Sequence, residues 1–287
     1  MENILEINGL GKSYPKSEFK LKDVSFSLEK GAIMGFVGEN GAGKTTTINC
    51  ILGTLIKDSG SVKLFGQEAT DSTSFLREEV GIVFDTESFG PRMTAKKIAS
   101  VMRSAYNNWD DALFDDYLTQ FKLSKTAKIS TFSRGMTMKL AIASALSHRP
   151  KLLILDEATG GLDPVARDEV LDIILDFVAS GETSVLFSSH ITSDLEKIAD
   201  DITIIHDGEI LISQPKDELL YNYGILRVPA SKFEQVEKHD IVAYKKKELQ
   251  IDVLVANKSV AQKKYKDFVM DKATIEEIML LIIRGEG

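Results

Sequence analysis

A glycine-rich segment at residues 38–46 constrains the fold of this chain more than any other feature. It reads Gly-Glu-Asn-Gly-Ala-Gly-Lys-Thr-Thr and fits the pattern G-x-x-x-x-G-K-S/T. Ile33, Gly35 and Val37 alternate before it as in a strand, and residues 46–55 have a helical pattern. Glycines let the backbone wrap around an anion, and the following helix turns its N-terminus toward that anion. The sequence therefore predicts an α/β fold with a nucleoside triphosphate site at this turn.

Two side chains in this segment have specific predicted roles. Lys44 is placed to reach the β and γ phosphates, and the Thr45 hydroxyl is placed to ligate Mg²⁺. A glycine-rich turn without a ligand is the alternative, and a Lys-Thr pair directly after the last glycine disfavours it. The candidate nucleotide contacts are Gly38, Glu39, Asn40, Gly41, Ala42, Gly43, Lys44, Thr45 and Thr46.

Two adjacent carboxylates end a short apolar strand at residues 152–155. They are Asp156 and Glu157, and ligands bind at the carboxyl ends of the strands in open α/β sheets. We expect Asp156 to hold Mg²⁺ through water and Glu157 to polarise the water that attacks the γ-phosphate. A carboxylate that only caps a loop is the alternative, and it explains either residue alone better than it explains the pair.

His190 follows a second apolar strand, at residues 185–187. A histidine after a strand is usually structural, but this one is expected at the same sheet edge as Glu157. An imidazole at that edge can donate a hydrogen bond to a phosphate oxygen. We therefore predict a catalytic role for His190 beside Glu157.

Ser133 and Gly135 stand at the start of a helix rich in alanine and leucine. A hydroxyl, backbone N–H groups and a helix N-terminus together form a phosphate-binding arrangement. A single nucleotide has no obvious use for a second such element in the same chain. We therefore expect this element to serve a nucleotide on a partner subunit.

The order of the predicted elements indicates two domains. Strands and helices alternate between residues 33 and 205, which favours a mostly parallel sheet. Residues 94–146 have a helical pattern, and the pattern of the chain changes near residue 220. We predict a first domain over residues 1–220 and a small α/β domain over residues 221–287.

Composition disfavours several classes of protein. The net charge of the 287 residues is −8, and no run of Lys or Arg suggests a nucleic-acid arm, so no nucleic-acid partner is expected. Cys50 is the only cysteine, which fits a reducing cytoplasm. No apolar run approaches the roughly 20 residues that span a bilayer, and the first residues lack the regions of a signal peptide. Any membrane role is expected to depend on a partner.

In their order and spacing, these segments resemble the motifs of the ATP-binding subunits of ABC transporters. The resemblance covers residues 1–220 and implies a P-loop NTPase fold of the ABC-ATPase type, with an antiparallel β subdomain and a helical subdomain at 94–146. It also implies ATP and Mg²⁺ as cofactors and a homo- or heterodimer of ATPase subunits. A separate integral-membrane permease would hold the chain at the inner face of the cell membrane. The motifs are residues 38–46, Ser133-Arg134-Gly135-Met136, Asp156-Glu157, Gly160-Gly161-Leu162-Asp163 and His190.

Three further positions can be compared with the pattern of that family. Tyr14 stands where the family has an aromatic residue that stacks on adenine. Arg134 and Met136 depart from the usual Leu-Ser-Gly-Gly-Gln, although Ser133 and Gly135 are kept. Asp85 falls where the family has a glutamine. A carboxylate can ligate Mg²⁺ but cannot donate a hydrogen bond to water as an amide can, so Asp85 is a candidate metal ligand.

The segment at residues 271–279 looks like the tail of Gram-positive exporter ATPases, which pair with an ABC-2-type membrane subunit. This resemblance implies export of a peptide or an amphipathic compound. Three alternatives stay open: a soluble ABC ATPase without a transport role, a regulatory subunit with weak hydrolysis, and a P-loop kinase or GTPase. The last of these leaves His190 and Ser133 unexplained.

Overall fold

The computed structural model describes residues 2–85 and 89–286. The chain divides into two compact units, Met1–Ser213 and Gln214–Gly287. The sequence placed a boundary after residue 220, which lies inside a helix of the second unit. In chain order the elements are β1 (Asn3–Ser13), β2 (Lys20–Glu29), β3 (Ile33–Val37), α1 (Lys44–Leu52), β4 (Ser59–Leu64), β5 (Gln67–Glu68), β6 (Val80–Phe84), α2 (Ala95–Ala105), α3 (Asp111–Gln120), α4 (Arg134–Leu146), β7 (Leu152–Asp156), α5 (Pro164–Val178), β8 (Ser184–Ser189), α6 (Thr192–Ile198), β9 (Asp201–His206), β10 (Glu209–Pro215), α7 (Lys216–Asn222), β11 (Gly224–Pro229), β12 (Ala243–Lys246), β13 (Gln250–Val255), α8 (Lys258–Lys264), β14 (Val269–Lys272) and α9 (Ile275–Arg284).

An antiparallel sheet with the strand order β2-β1-β4-β5 begins the first unit. In β2 the side chains of Val24, Phe26 and Leu28 are buried, and the side chains between them are exposed. This alternation is what a strand with one face on the core requires. The antiparallel β subdomain expected from the sequence is present.

A second sheet has the strand order β10-β9-β3-β8-β7-β6, and the pairs between β9 and β6 are parallel. Strands β3 and β7 are buried at every position, as is usual where both faces of a parallel sheet are covered. Parallel strands end at one edge of the sheet. The segments after β3, β6, β7 and β8 therefore leave the sheet at the same edge.

Three helices, α2, α3 and α4, occupy the stretch that the sequence predicted to be helical. A side chain caps the start of each one. Thr94 accepts from Lys97 N, Asp110 from Leu113 N and Ser133 from Met136 N. Such N-caps satisfy backbone donors that have no partner within the helix, and they fix where each helix begins.

The second unit contains an antiparallel sheet with the order β12-β13-β11-β14. One apolar cluster on this sheet includes Leu226, Val228 and Val253. Helix α9 begins with a capping box, in which Thr274 and Glu277 each accept from the other's backbone N–H.

Candidate active site

The glycine-rich segment forms a tight turn between β3 and α1. Gly41 and Gly43 have φ angles of 85° and 117°, which side chains with a Cβ rarely adopt. A Cβ on Gly43 would lie 2.8 Å from Leu21 Cδ2. Gly43 is the N-cap of α1 and supplies no side-chain cap. Because the first N–H groups of a helix have no partner within it, the start of α1 is suited to bind an anion.

Lys44 is buried against this turn. Its Nζ donates hydrogen bonds to Gly38 O at 2.7 Å and to Glu39 O at 3.3 Å. The same Nζ lies 3.2 Å from Glu157 Oε1. The ammonium therefore contacts both the start of the glycine-rich turn and the carboxylate that follows β7.

Asp156 is buried at the end of β7, and two hydroxyls donate to its carboxylate. Thr45 Oγ1 donates to Oδ2 at 2.8 Å, and Ser188 Oγ donates to Oδ1 at 2.8 Å. The parallel register pairs Asp156 directly with Ser188. Reasoning from the sequence missed Ser188 as a site residue. The available signal was its place near the end of the strand before His190, since neighbouring parallel strands end side by side.

Glu157 has a φ of 57°, in the left-handed region that residues other than glycine seldom occupy. Its N–H donates to Ser188 O at 2.9 Å. Its Oε2 lies 2.5 Å from His190 Nδ1 and accepts from His190 N at 3.3 Å. Strained backbone of this kind clusters at functional sites. The sequence placed Glu157 and His190 at one sheet edge, and the structure brings them into contact.

A cavity of about 380 Å³ lies over the glycine-rich turn. Glu157 Oε1 is buried beside it and has no hydrogen-bond partner in the described ranges, although Lys44 faces it. The adjacent oxygens of Thr45 and Asp156 are the hard donors that Mg²⁺ prefers. These residues fit a magnesium-bound nucleotide. The cavity is lined by Phe19, Asn40, Gly41, Gly43, Lys44, Thr45, Thr46 and Glu157.

Phe19 is an aromatic residue of this cavity that reasoning from the sequence missed. Its Cζ would lie 3.1 Å from a Cβ on Gly43. Tyr14, the predicted adenine contact, is not among the described residues that line the cavity. Its ring lies 5.9 Å from Lys12 Nζ, just after the end of β1. An aromatic residue directly before β2 was the signal for Phe19.

Ser133 and Gly135 lie at the start of α4, in different surroundings. Ser133 is exposed, and its Oγ accepts from Met136 N at 3.2 Å. Gly135 is buried, and a Cβ there would lie 2.9 Å from Ala166 Cβ on α5. Gly135 therefore lets α4 approach α5 closely, whatever further role it has.

Asp85 follows β6 and forms an ion pair with Arg134. Thr45 and Ser188 donate hydrogen bonds to Asp156, whereas the ion-pair partner of Asp85 is Arg134. Its predicted role as a metal ligand remains a prediction.

Comparison with known proteins agrees with this arrangement. The family model described as "ABC transporter" matches residues 21–160. The bacitracin transport ATP-binding protein BcrA of Bacillus licheniformis is 33% identical over 221 residues, which cover 76% of this chain and 72% of that protein. The chain belongs to the ABC transporter family. The lantibiotic transport ATP-binding protein SrtF of Streptococcus pyogenes is 34% identical to this ABC protein over 230 residues, which cover 78% of this chain and 98% of SrtF.

A solved structure of an ATP-binding subunit of an ABC transporter has a TM-score of 0.68 with this ABC protein, at 27% identity. The matched region covers 75% of this chain and 91% of the solved chain. The fold and the ATPase class predicted from the sequence are confirmed: the chain is an ATP-binding ABC ATPase. No helix in residues 2–85 and 89–286 is both long enough and apolar enough to cross a bilayer.

Proposed function

We propose that this ABC ATPase powers the export of a peptide or an amphipathic compound through a separate integral-membrane permease. The names of BcrA and SrtF, which refer to transport of bacitracin and of a lantibiotic, support this substrate class. Two ATPase subunits, identical or different, would enclose two ATP molecules. The permease would hold them at the inner face of the cell membrane.

The observation that carries the proposed hydrolysis is that Glu157 lies between Lys44 and His190 and contacts both. Oε2 contacts His190, whereas Oε1 is buried, faces Lys44 and has no hydrogen-bond partner in the part of the chain that is described. An oriented carboxylate with one oxygen that lacks a hydrogen-bond partner is suited to accept a proton from an attacking water. His190 would fix the direction of Glu157 and donate to the γ-phosphate.

Other groups would neutralise the negative charge of the phosphates. Lys44 would exchange its contacts with the carbonyls of Gly38 and Glu39 for contacts with the β and γ phosphates. Mg²⁺, held by Thr45 and Asp156, would neutralise further charge on the same phosphates. Ser133, which is exposed at the N-terminus of α4, would contact the nucleotide of the other subunit.

A groove of about 390 Å³ beside α4 is the proposed docking place for the permease. Phe84, Phe89, Phe132 and Met138 make much of its lining apolar. An amphipathic helix of the membrane subunit would fit there by its apolar face. ATP binding and docking would then strengthen each other by the same factor.

Reconstitution tests this function. The chain alone should hydrolyse ATP slowly, and the membrane subunit that copurifies with it from its native membrane should raise the rate in lipid. Charge reversal at the exposed Arg92, Lys96 and Lys97 should remove this stimulation and leave ATP binding intact, whereas reversal at Lys263 in the second unit is the matched control. A chain found only in the cytosol when expressed with its neighbouring membrane genes would favour the soluble ABC ATPase.

A further inference from the structure

Asp85 and Arg134, which both depart from the family pattern, contact each other. Asp85 Oδ1 and Arg134 Nη2 form an ion pair between the residue after β6 and the first residue of α4. Side chains are 44% exposed at Asp85 and 51% exposed at Arg134. The two residues that depart from the family pattern therefore interact directly with each other.

The position of Arg134 in its helix makes a partner for it important. The N-terminus of a helix carries a partial positive charge, which favours anions and disfavours cations in the first turn. The first turn of α4 contains no acidic residue. Asp85 supplies the missing negative charge from a different segment of the chain.

The guanidinium of Arg134 also lies against the loop that follows Glu157. A Cβ on Gly161 would lie 2.9 Å from Arg134 Cζ, and Gly161 has a φ of 66°. Glycine at this position therefore permits the approach. Arg134 contacts the residue after β6 and the Gly160–Gly161 loop, and it belongs to the turn of α4 that Ser133 caps.

We propose that Asp85 and Arg134 are a positioning pair, which holds the first turn of α4 and the Ser133 hydroxyl against the edge of the parallel sheet. Asp85 then serves as the counter-charge of Arg134 and not as a ligand for Mg²⁺. The inference rests on the proposed function of Ser133 as a phosphate contact. Neither member of the pair needs to touch the nucleotide.

Exchange of the two charges separates these roles, because an arginine at position 85 cannot bind Mg²⁺. The variants are Asp85→Arg, Arg134→Asp and the double exchange, and steady-state hydrolysis is measured against ATP and against Mg²⁺. Each single variant should lower kcat/KM by about fivefold, the upper end of the range expected for a half-exposed ion pair. The exchange should recover kcat/KM to within about twofold of the parent, with the Mg²⁺ requirement unchanged.

Lys139 and Glu169 provide the matched control. This pair also joins α4 to a neighbouring element, at 2.8 Å, and the same three charge variants should leave kcat/KM near the parent value. If a reversal at position 85 prevents folding, Asp85→Asn and Arg134→Gln replace it in a double-mutant cycle.

Two results of the activity assays would overturn the pair. One is an exchange variant that is no more active than the single variants, together with a raised Mg²⁺ requirement in every variant that lacks Asp85. This is the result expected if Asp85 is a metal ligand. The other is single variants that match the parent. Hydrogen exchange at residues 135–138 is the readout that does not depend on hydrolysis: it should quicken in Asp85→Arg, which leaves two cations at the helix N-terminus, and slow again in the exchange variant. A parent chain without ATPase activity would contradict the proposed function, whereas unchanged hydrogen exchange would contradict the positioning pair.

Discussion

The Thr45 hydroxyl donates a 2.8 Å hydrogen bond to Asp156 Oδ2, which joins the start of α1 to the end of β7. Ser188 donates to the other carboxylate oxygen from the neighbouring strand. The two oxygen groups predicted to hold Mg²⁺ are therefore already adjacent, and hydrogen bonds orient them. Such preorganisation reduces the rearrangement that ligand binding requires.

Phe19 offers the first test of the nucleotide cavity. Stacking of a base on an aromatic ring contributes about 1–3 kcal/mol, so Phe19→Ala should raise the Kd for ATP about tenfold. Fluorescent ATP titration measures this, with Tyr14→Ala in the same series to compare the aromatic residue predicted from the sequence. A Phe19→Ala variant that binds ATP as the parent does would remove Phe19 from base recognition.

Ser133 is predicted to act on the nucleotide of the other subunit. A Lys44→Ala subunit and a Ser133→Ala subunit should each be inactive alone. Mixed dimers should regain hydrolysis, because one of their two sites keeps both elements. The assay is phosphate release from the mixture after heterodimers have been verified. Absence of recovery in such heterodimers would show that the two elements do not act across an interface.

Gly135 is predicted to matter for the contact between α4 and α5. Gly135→Ala brings a Cβ to 2.9 Å from Ala166 Cβ. Overpacking costs about 1–3 kcal/mol, partly offset by about 1 kcal/mol of helix propensity, so the free energy of unfolding should fall by about 1 kcal/mol. Adding Ala166→Gly should restore it, as measured by urea unfolding. An alanine variant as stable as the parent would be inconsistent with this contact, and a stable but inactive double variant would assign Gly135 to phosphate binding.

His148 should make stability depend on pH. Burial lowers the pKa of His148 below its ordinary value of 6.5, and its ring stacks on Tyr106 with centroids 4.0 Å apart. The unfolded state then binds a proton more readily, so stability should fall as the pH drops below 6.5. Urea unfolding at about pH 5.5 and about pH 7.5 measures this change. His148→Phe, which keeps a ring beside Tyr106, should reduce it; an identical pH dependence in both proteins would refute the role of His148.

The sequence predicted those parts of the site that depend on local pattern and on one general rule of topology. Lys44 and Thr45 follow from a glycine-rich turn before a helix. Asp156, Glu157 and His190 follow from the rule that parallel strands deliver their last residues to one edge. These predictions needed no knowledge of which strands are neighbours.

The contacts that the sequence did not predict depend on strand order and on the paths of long side chains. Ser188 reaches Asp156 because β7 pairs with β8 in a particular register. Arg134 reaches Asp85 across 49 positions of the chain. Phe19 enters the cavity because β2 packs beside the turn at Gly43. Neither composition nor periodicity encodes these distances.

The most direct test of the proposed hydrolysis is ATP turnover by the Glu157→Gln variant beside the parent chain. The amide keeps the size of the side chain but cannot accept a proton from water, so turnover should fall by about 10²–10⁴-fold. ATP binding should remain, because Lys44, Thr45 and Asp156 are unchanged, and gel filtration should show an ATP-bound dimer. A variant that releases phosphate at the parent rate would contradict the assignment of Glu157 as the base on which the proposed mechanism depends.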